Sequence, residues 1–283
     1  MKNQDRQLET IWTVIEFLHF GLKQAWASIF GGLLLAAILI TKFWYPDIPL
    51  ARYDFLFLYA IAIQILLIVF RLESLRECGV VIVFHILATG MEIFKTSDSI
   101  GSWTYPEDSI FRIGNVPLFA GFMYSAVGSY MARIWRQFDM RFEHFPHIAV
   151  ALVLAVLSYI NFFTHHYVFD IRWILLAAIV VAYGRTQVIF RPYRIDRSMP
   201  LLIGFLLVSF FIWIAENAST FSRIWVYPNQ ENGWQLVGFS KLIAWFLLMQ
   251  LSFALIYALR QFEQKTESQT KQANDSSPGE SPS

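Results

Sequence analysis

The chain reads as long apolar runs separated by short polar loops. The runs fall near residues 25–43, 54–70, 79–94, 116–135, 147–163, 171–188, 200–220 and 237–259. Each approaches the roughly 20 apolar residues that cross about 30 Å of hydrocarbon at 1.5 Å per residue. The pattern therefore predicts eight transmembrane helices. Ahead of the first run, "LETIWTVIEFLHFGL" sets Leu8, Ile11, Trp12, Ile15, Leu18 and Leu22 at helical spacing, which predicts an amphipathic helix within residues 1–23 lying on the membrane surface. Asp5, Glu9 and Glu16 interrupt its apolar positions and no small-residue cleavage site follows, so a cleavable signal peptide is not expected. From Gln261 onward the sequence turns polar and rich in Ser and Pro, and residues 261–283 are expected to form a disordered cytoplasmic tail.

Composition sharpens this picture. With 56% hydrophobic and 15% charged residues and a mean hydropathy of +0.47, the chain holds more apolar surface than a soluble core can hide, since soluble domains carry about a quarter charged residues. The expected fold class is all-α, a polytopic integral membrane protein. A net charge of +1 with scattered basic residues argues against nucleic acid as a partner. One cysteine, Cys78, excludes an intramolecular disulfide, and no metal site or cofactor is expected, because Cys-x-x-Cys and His-Glu-x-x-His spacings are missing. The neighbouring His165 and His166 of "THHYVFD" would point in different directions on a helix. Lys and Arg divide 15 to 7 between alternate sides of the eight runs, which places both termini in the cytoplasm by the positive-inside rule.

An internal repeat emerges from the spacing. "GSWTYPEDSIFRIG" begins at Gly101 and "RIWVYPNQENG" at Arg223; Trp103 and Trp225 lie 122 residues apart, Glu92 and Glu216 lie 124 apart, and the first and fifth runs start 122 apart. This predicts two parallel four-helix repeats, residues 24–136 and 147–260.

The chemistry concentrates beside those loops. Glu92 and Glu216 each fall near the outward end of an apolar run, where a carboxylate costs several kcal/mol unless protonated, paired or facing a wet cavity. His85 lies seven residues before Glu92, with Thr89 between them on the same face, so His85 and Glu92 are candidates for a proton relay. The candidate catalytic set is Glu92, His85 and Glu216. Asp98, Trp103, Tyr105, Arg112 and Asn115 from the first loop, with Asn217, Trp225 and Tyr227 from the second, are candidate ligand-contacting residues. Aromatic residues in such loops also anchor helices at the membrane boundary.

The segments "GMEIFKTSDSIGSWTYPE", "GNVPLFAGFMYSAVGSYMAR" and "WIAENASTFSRIWVYP" resemble an uncharacterised family of bacterial multipass membrane proteins, the YoaT-like proteins. That resemblance implies a bacterial inner-membrane location and carries no established activity. More remotely, the order of an intramembrane Glu, an aromatic loop and "NVPLFAGFMY" is similar to membrane carotenoid hydratases and lycopene cyclases, although Pro117 is followed here by "LFAGF" rather than by acidic residues. Three readings stay open. One is an intramembrane enzyme doing acid–base chemistry on an isoprenoid or other lipid. Another is a transporter or lipid-binding protein using the paired glutamates. The third is a structural or assembly role.

Overall fold

The apolar runs fold as helices because each supplies a continuous lipid- or core-facing surface and all its backbone hydrogen bonds internally, as a chain in hydrocarbon must. The structure, a computed structural model, describes residues 2–275. The helices are α1 (Lys2–Ala27), α2 (Ile29–Phe43), α3 (Arg52–Val69), α4 (Leu75–Lys95), α5 (Phe119–Gln137), α6 (Ile148–Thr164), α7 (Arg172–Tyr183), α8 (Leu201–Phe221) and α9 (Ser240–Asp275). The short strands are β1 (Arg112–Ile113), β2 (Val116–Pro117), β3 (Arg141–Glu143), β4 (Gln187–Phe190) and β5 (Arg197–Pro200). A capping box opens α4: Ser74 Oγ accepts from Glu77 N at 3.2 Å, and Glu77 Oε2 accepts from Ser74 N at 2.8 Å.

Among the described residues, four helical segments are long and apolar enough to cross a membrane: Arg52–Val69, Glu77–Lys95, Leu201–Phe221 and Ser240–Phe262. A fifth arises if Ile11–Ala27 and Ile29–Phe43, bent by 67° at Ser28, act as one broken span. The chain is thus a mostly helical membrane protein. Ile82, Ile86, Leu66, Val181 and Phe211 are all more than half exposed on the helix surfaces, a distribution suited to lipid rather than to water. The sixth apolar run departs from its expected limits: α7 stops at Tyr183 and the chain turns into β4, leaving 12 helical residues, about 18 Å against about 30 Å of hydrocarbon.

Two further expectations change. The fold is not purely helical, because β1 and β2 form a two-stranded hairpin, and β3, β4 and β5 form an antiparallel sheet in the order β3-β4-β5. The basic segment around "GRTQVIFRPYRIDRSMP" is therefore a β4–β5 hairpin, in whose connection Arg191 pairs with Asp196, and Arg141 of the neighbouring β3 pairs with the same carboxylate. Alternation along β4 buries Val188 and Phe190 in the core, a two-residue period hidden among the surrounding helical runs. At the other extreme, α9 continues through Asp275 although its composition after Gln261 predicts disorder; residues 276–283 lie outside the described residues.

α4 and α5 pack in close contact because α5 presents a stripe of small buried residues, Gly121, Ser125, Gly128, Ser129 and Ala132. A Cβ on Gly121 would lie 2.5 Å from His85 Nδ1 and 2.6 Å from Thr89 Oγ1, and one on Gly128 would lie 2.9 Å from Phe84. Ser125 Oγ completes the seam by donating to Val81 O at 2.9 Å. At the far end of this helix pair, Glu73 and Arg133, both with fully buried side chains, approach to 3.4 Å. Gln64 and Ser129 also donate to Glu73, at 2.9 and 3.2 Å. Arg133 is thus an internal counter-charge, not the loop residue that charge counting implies.

Four variants, purified in detergent and read by thermal unfolding, test these contacts. Glu73→Gln strands the Arg133 guanidinium without a counter-charge and is expected to cost about 3–5 kcal/mol. Asp196→Asn, which breaks only the exposed hairpin pairs, should shift the transition far less. Gly121→Ala overpacks the seam and is expected to destabilise by about 1–3 kcal/mol. Gly90→Ala on α4, with no heavy atom within 4 Å of the added Cβ, should be neutral or stabilising by up to about 1 kcal/mol.

Candidate functional site

Both aromatic loops fold inward onto the glutamates. Glu92, 1% exposed, accepts three hydrogen bonds: from Trp103 Nε1 at 2.8 Å and Tyr105 OH at 2.9 Å, both to Oε2, and from Tyr124 OH at 2.8 Å to Oε1. Glu216, 3% exposed, accepts from Tyr227 OH at 2.6 Å and Trp245 Nε1 at 2.8 Å. Trp Nε1 can only donate and a tyrosine hydroxyl readily does, so each carboxylate is satisfied as an acceptor. The first loop supplies two donors through Trp-x-Tyr. In the second loop only Tyr227 reaches the glutamate, and Trp245 of α9 takes the place that Trp225 leaves.

The loops are joined to each other as well. Thr104 and Val226 form an antiparallel bridge, each N–H donating to the other's carbonyl at 2.9 Å. Trp103 and Tyr227 meet edge to face with ring centroids 6.1 Å apart, and Tyr124 and Trp245 lie 5.9 Å apart. Asp54, fully buried at the start of α3, accepts from the N–H groups of Ile110 and Phe111 and fixes the far end of the first loop.

A cavity of about 680 Å³ runs beneath this cluster between α1, α2, α5, α8 and α9. It borders α8 from Leu201 to Ser219, about 27 Å at 1.5 Å per residue. Its walls are chiefly apolar, and Glu92, Glu216, Trp103, Tyr105, Tyr124, Tyr227 and Trp245 gather at one end. A second cavity of about 280 Å³ shares Trp103, Tyr124, Glu216, Tyr227 and Trp245 with the first and is lined on its other side by Lys95, His165, His166, Arg172 and Lys241. Lys95 Nζ lies 2.7 Å from His166 Nε2 and 3.5 Å from His165 Nε2. His165 Nδ1 donates to Asn161 O at 2.9 Å, which leaves its Nε2 free to accept from the ammonium. Burial first, then the charges of Lys95, His165, Lys241 and Arg172, holds the His166 imidazole below its ordinary value, at about 4.

The sequence candidates separate into three groups. Glu92, Glu216, Trp103, Tyr105 and Tyr227 converge, and Trp225 lines the larger cavity without reaching a carboxylate. Arg112, Asn115 and Asn217 hold backbone groups, and Asp98 accepts from the Asn115 side chain. Asn115 Nδ2 donates to Thr96 O and Asp98 Oδ1, Arg112 donates to the carbonyls of Gly114 and Asn115, and Asn217 Oδ1 accepts from Val237 N. His85 turns toward α5 instead of Glu92: its ring lies tilted against Phe122 with centroids 4.4 Å apart, its buried Nδ1 has no hydrogen-bond partner among the described residues, and the Thr89 hydroxyl turns back to His85 O. A helix-face argument puts His85 on the Glu92 side, but the bare Gly121 backbone opposite draws the imidazole into the α4–α5 seam.

Tyr124, Trp245, Lys95 and Lys241 complete the site beyond those candidates. Tyr124 closes "NVPLFAGFMY", and Trp245 stands 121 residues later, close to the repeat spacing, which is the signal that pairs them.

The comparisons with known proteins agree with the sequence resemblance. The chain is 37% identical over 262 residues to a protein of Bacillus subtilis (strain 168) described as "Uncharacterized protein YoaT", covering 93% of this chain and 97% of that relative. No solved structure matches it. A family model matches residues 16–253, and the chain accordingly belongs to the family described as "Protein of unknown function (DUF817)".

Proposed function

We infer that this protein binds the hydrocarbon chain of an isoprenoid or other lipid in its long apolar cavity and acts on it by acid–base chemistry at Glu92 and Glu216. The observation that carries this reading is the larger cavity, which follows α8 along apolar walls and ends on two buried carboxylates framed by aromatic rings. Trp and Tyr faces attract a cation and carboxylates balance it, so this end of the cavity suits a substrate that develops positive charge or sheds a proton there. Glu92 and Glu216 serve as proton acceptors or stabilise that charge, and Tyr124 and Tyr227 can pass a proton between carboxylate and cavity. His85 has no part in this relay.

The membrane arrangement belongs to the same reading. α2, α3, α4 and α5 recur in order as α6, α7, α8 and α9, and the joined positions Thr104 and Val226 are 122 residues apart, the offset of the two Trp-x-Tyr motifs. A bridge between equivalent positions is what two-fold-related halves produce. The proposed arrangement is eight passages through a bacterial inner membrane, the sixth made by the 12-residue α7 together with the chain on either side of it, with both termini cytoplasmic and both aromatic loops outward.

Two measurements test the function. A photoreactive geranylgeranyl probe should label the purified wild-type protein and should label Ala215→Trp, which fills the carboxylate end of the cavity, at least tenfold less. Equal labelling of both would end the binding reading. For the chemistry, lipid extracts of a deletion strain and of a Glu92→Gln strain with normal protein levels are expected to accumulate the same species. A Glu92→Gln extract matching wild type would remove Glu92 from the reaction.

A further inference from the structure

Every charged group around the smaller cavity has an assignable role except two. Arg172 is held by Asp170, with Nε 2.5 Å from Oδ2. Glu216, in the shared wall, is occupied by Tyr227 and Trp245. Lys95 and Lys241 remain. Lys95, 2% exposed, has two imidazole nitrogens and the face of Phe162 at 4.5 Å as its neighbours. Lys241 sits over the faces of Tyr227 at 4.3 Å and Trp103 at 5.5 Å. Among the described residues neither ammonium forms an ion pair with a carboxylate. Leaving two such amines in a cavity at the end of an apolar bundle is costly, and a buried amine is either neutralised or balanced by an anion.

We propose that the cavity lined by Lys95, Lys241, Arg172, His165 and His166 is a binding site for a phosphate-type dianion. Two ammonium groups without carboxylate partners match a doubly charged ligand, and Arg172 and Lys241 bring N–H donors of the kind phosphates recruit. A volume of about 280 Å³ leaves room for a phosphate or diphosphate with its water. His165 accepts from Lys95 with Nδ1 already committed to Asn161, so these histidines position the Lys95 ammonium rather than compete with it. Burial first, and then the charges of Lys95, His165, Lys241 and Arg172, lower the proton affinity of His166 in the same cavity.

The ligand has two possible sources. Because five side chains wall both cavities, a phosphate in the smaller one lies one side-chain thickness from the tail cavity. The dianion is therefore either the headgroup of a lipid whose chain occupies the larger cavity or a free phosphate compound. The first source rests on the lipid-binding reading above; the anion site itself does not.

Calorimetric titration of the full chain in neutral detergent separates these cases, with inorganic diphosphate, farnesyl phosphate and farnesol as probes. Diphosphate and farnesyl phosphate are expected to bind, each at least tenfold more weakly to Lys241→Gln and to Arg172→Gln, while farnesol binding stays unchanged in Arg172→Gln, whose side chain borders only the smaller cavity. Unliganded melting curves check each variant's fold. Should Lys241→Gln unfold, Arg172→Gln, whose side chain is 24% exposed, supplies the readout. Farnesyl phosphate binding tighter than diphosphate supports a lipid headgroup. Equal affinity supports a free anion, leaving the site in place while removing the tail. Anion binding that neither variant weakens overturns the site, and farnesol binding then reports independently on the apolar cavity.

Discussion

Two carboxylates buried at one end of an apolar bundle set the architecture around them. Each needs donors that apolar helices do not provide, and water is scarce at that depth. The chain meets the requirement with aromatic side chains whose polar atom is a donor and whose body is apolar. Trp103, Tyr105 and Tyr124 serve Glu92, while Tyr227 and Trp245 serve Glu216. To reach the glutamates, both loops must fold back over their own helices. Their edges then meet, and the Thr104–Val226 bridge satisfies two backbone pairs that would otherwise be left open. The Trp-x-Tyr-Pro loops are therefore held in place by the acids they cover.

Much of this was legible in the sequence, and the reasons for the rest are physical. Hydrophobic run length locates helices well because hydrocarbon enforces internal backbone hydrogen bonding. The glutamates and Trp-x-Tyr motifs stand out as polar exceptions in apolar surroundings. Limits and crossings are less legible, since a run such as 171–188 can be part helix and part strand with no change in hydropathy. Residue roles are the hardest to read. Asn115, Asn217 and Arg112 look like ligand contacts by type, yet they hold loop backbone in place. His85 shares a helix face with Glu92, but the missing side chain at Gly121 on another helix decides where its ring goes. Arg133 counts as a topology charge until Glu73, 60 residues away, is seen beside it. Such pairings depend on tertiary neighbours, and no local spacing encodes them.

The two cavities also depend on one wall electrostatically. Tyr227 directs its hydroxyl to Glu216 and presents its ring face to Lys241, so the positive end of its O–H meets the carboxylate and the negative face of its ring meets the ammonium. Trp103 repeats the arrangement with Glu92 on its N–H and Lys241 over its ring, at greater distance. Each aromatic residue thus separates opposite charges with its own quadrupole aligned between them. A charge arriving in either cavity changes the field felt across the wall, because low-dielectric aromatic rings screen it poorly. A dianion beside Lys241 would offset the positive field that Lys241 sets up at Glu216. A positive centre beside Glu92 or Glu216 would draw on the same carboxylates that balance Lys241. The two cavities therefore share one electrostatic wall, and on the proposed reading a ligand carrying both a chain and an anionic head would engage the two together.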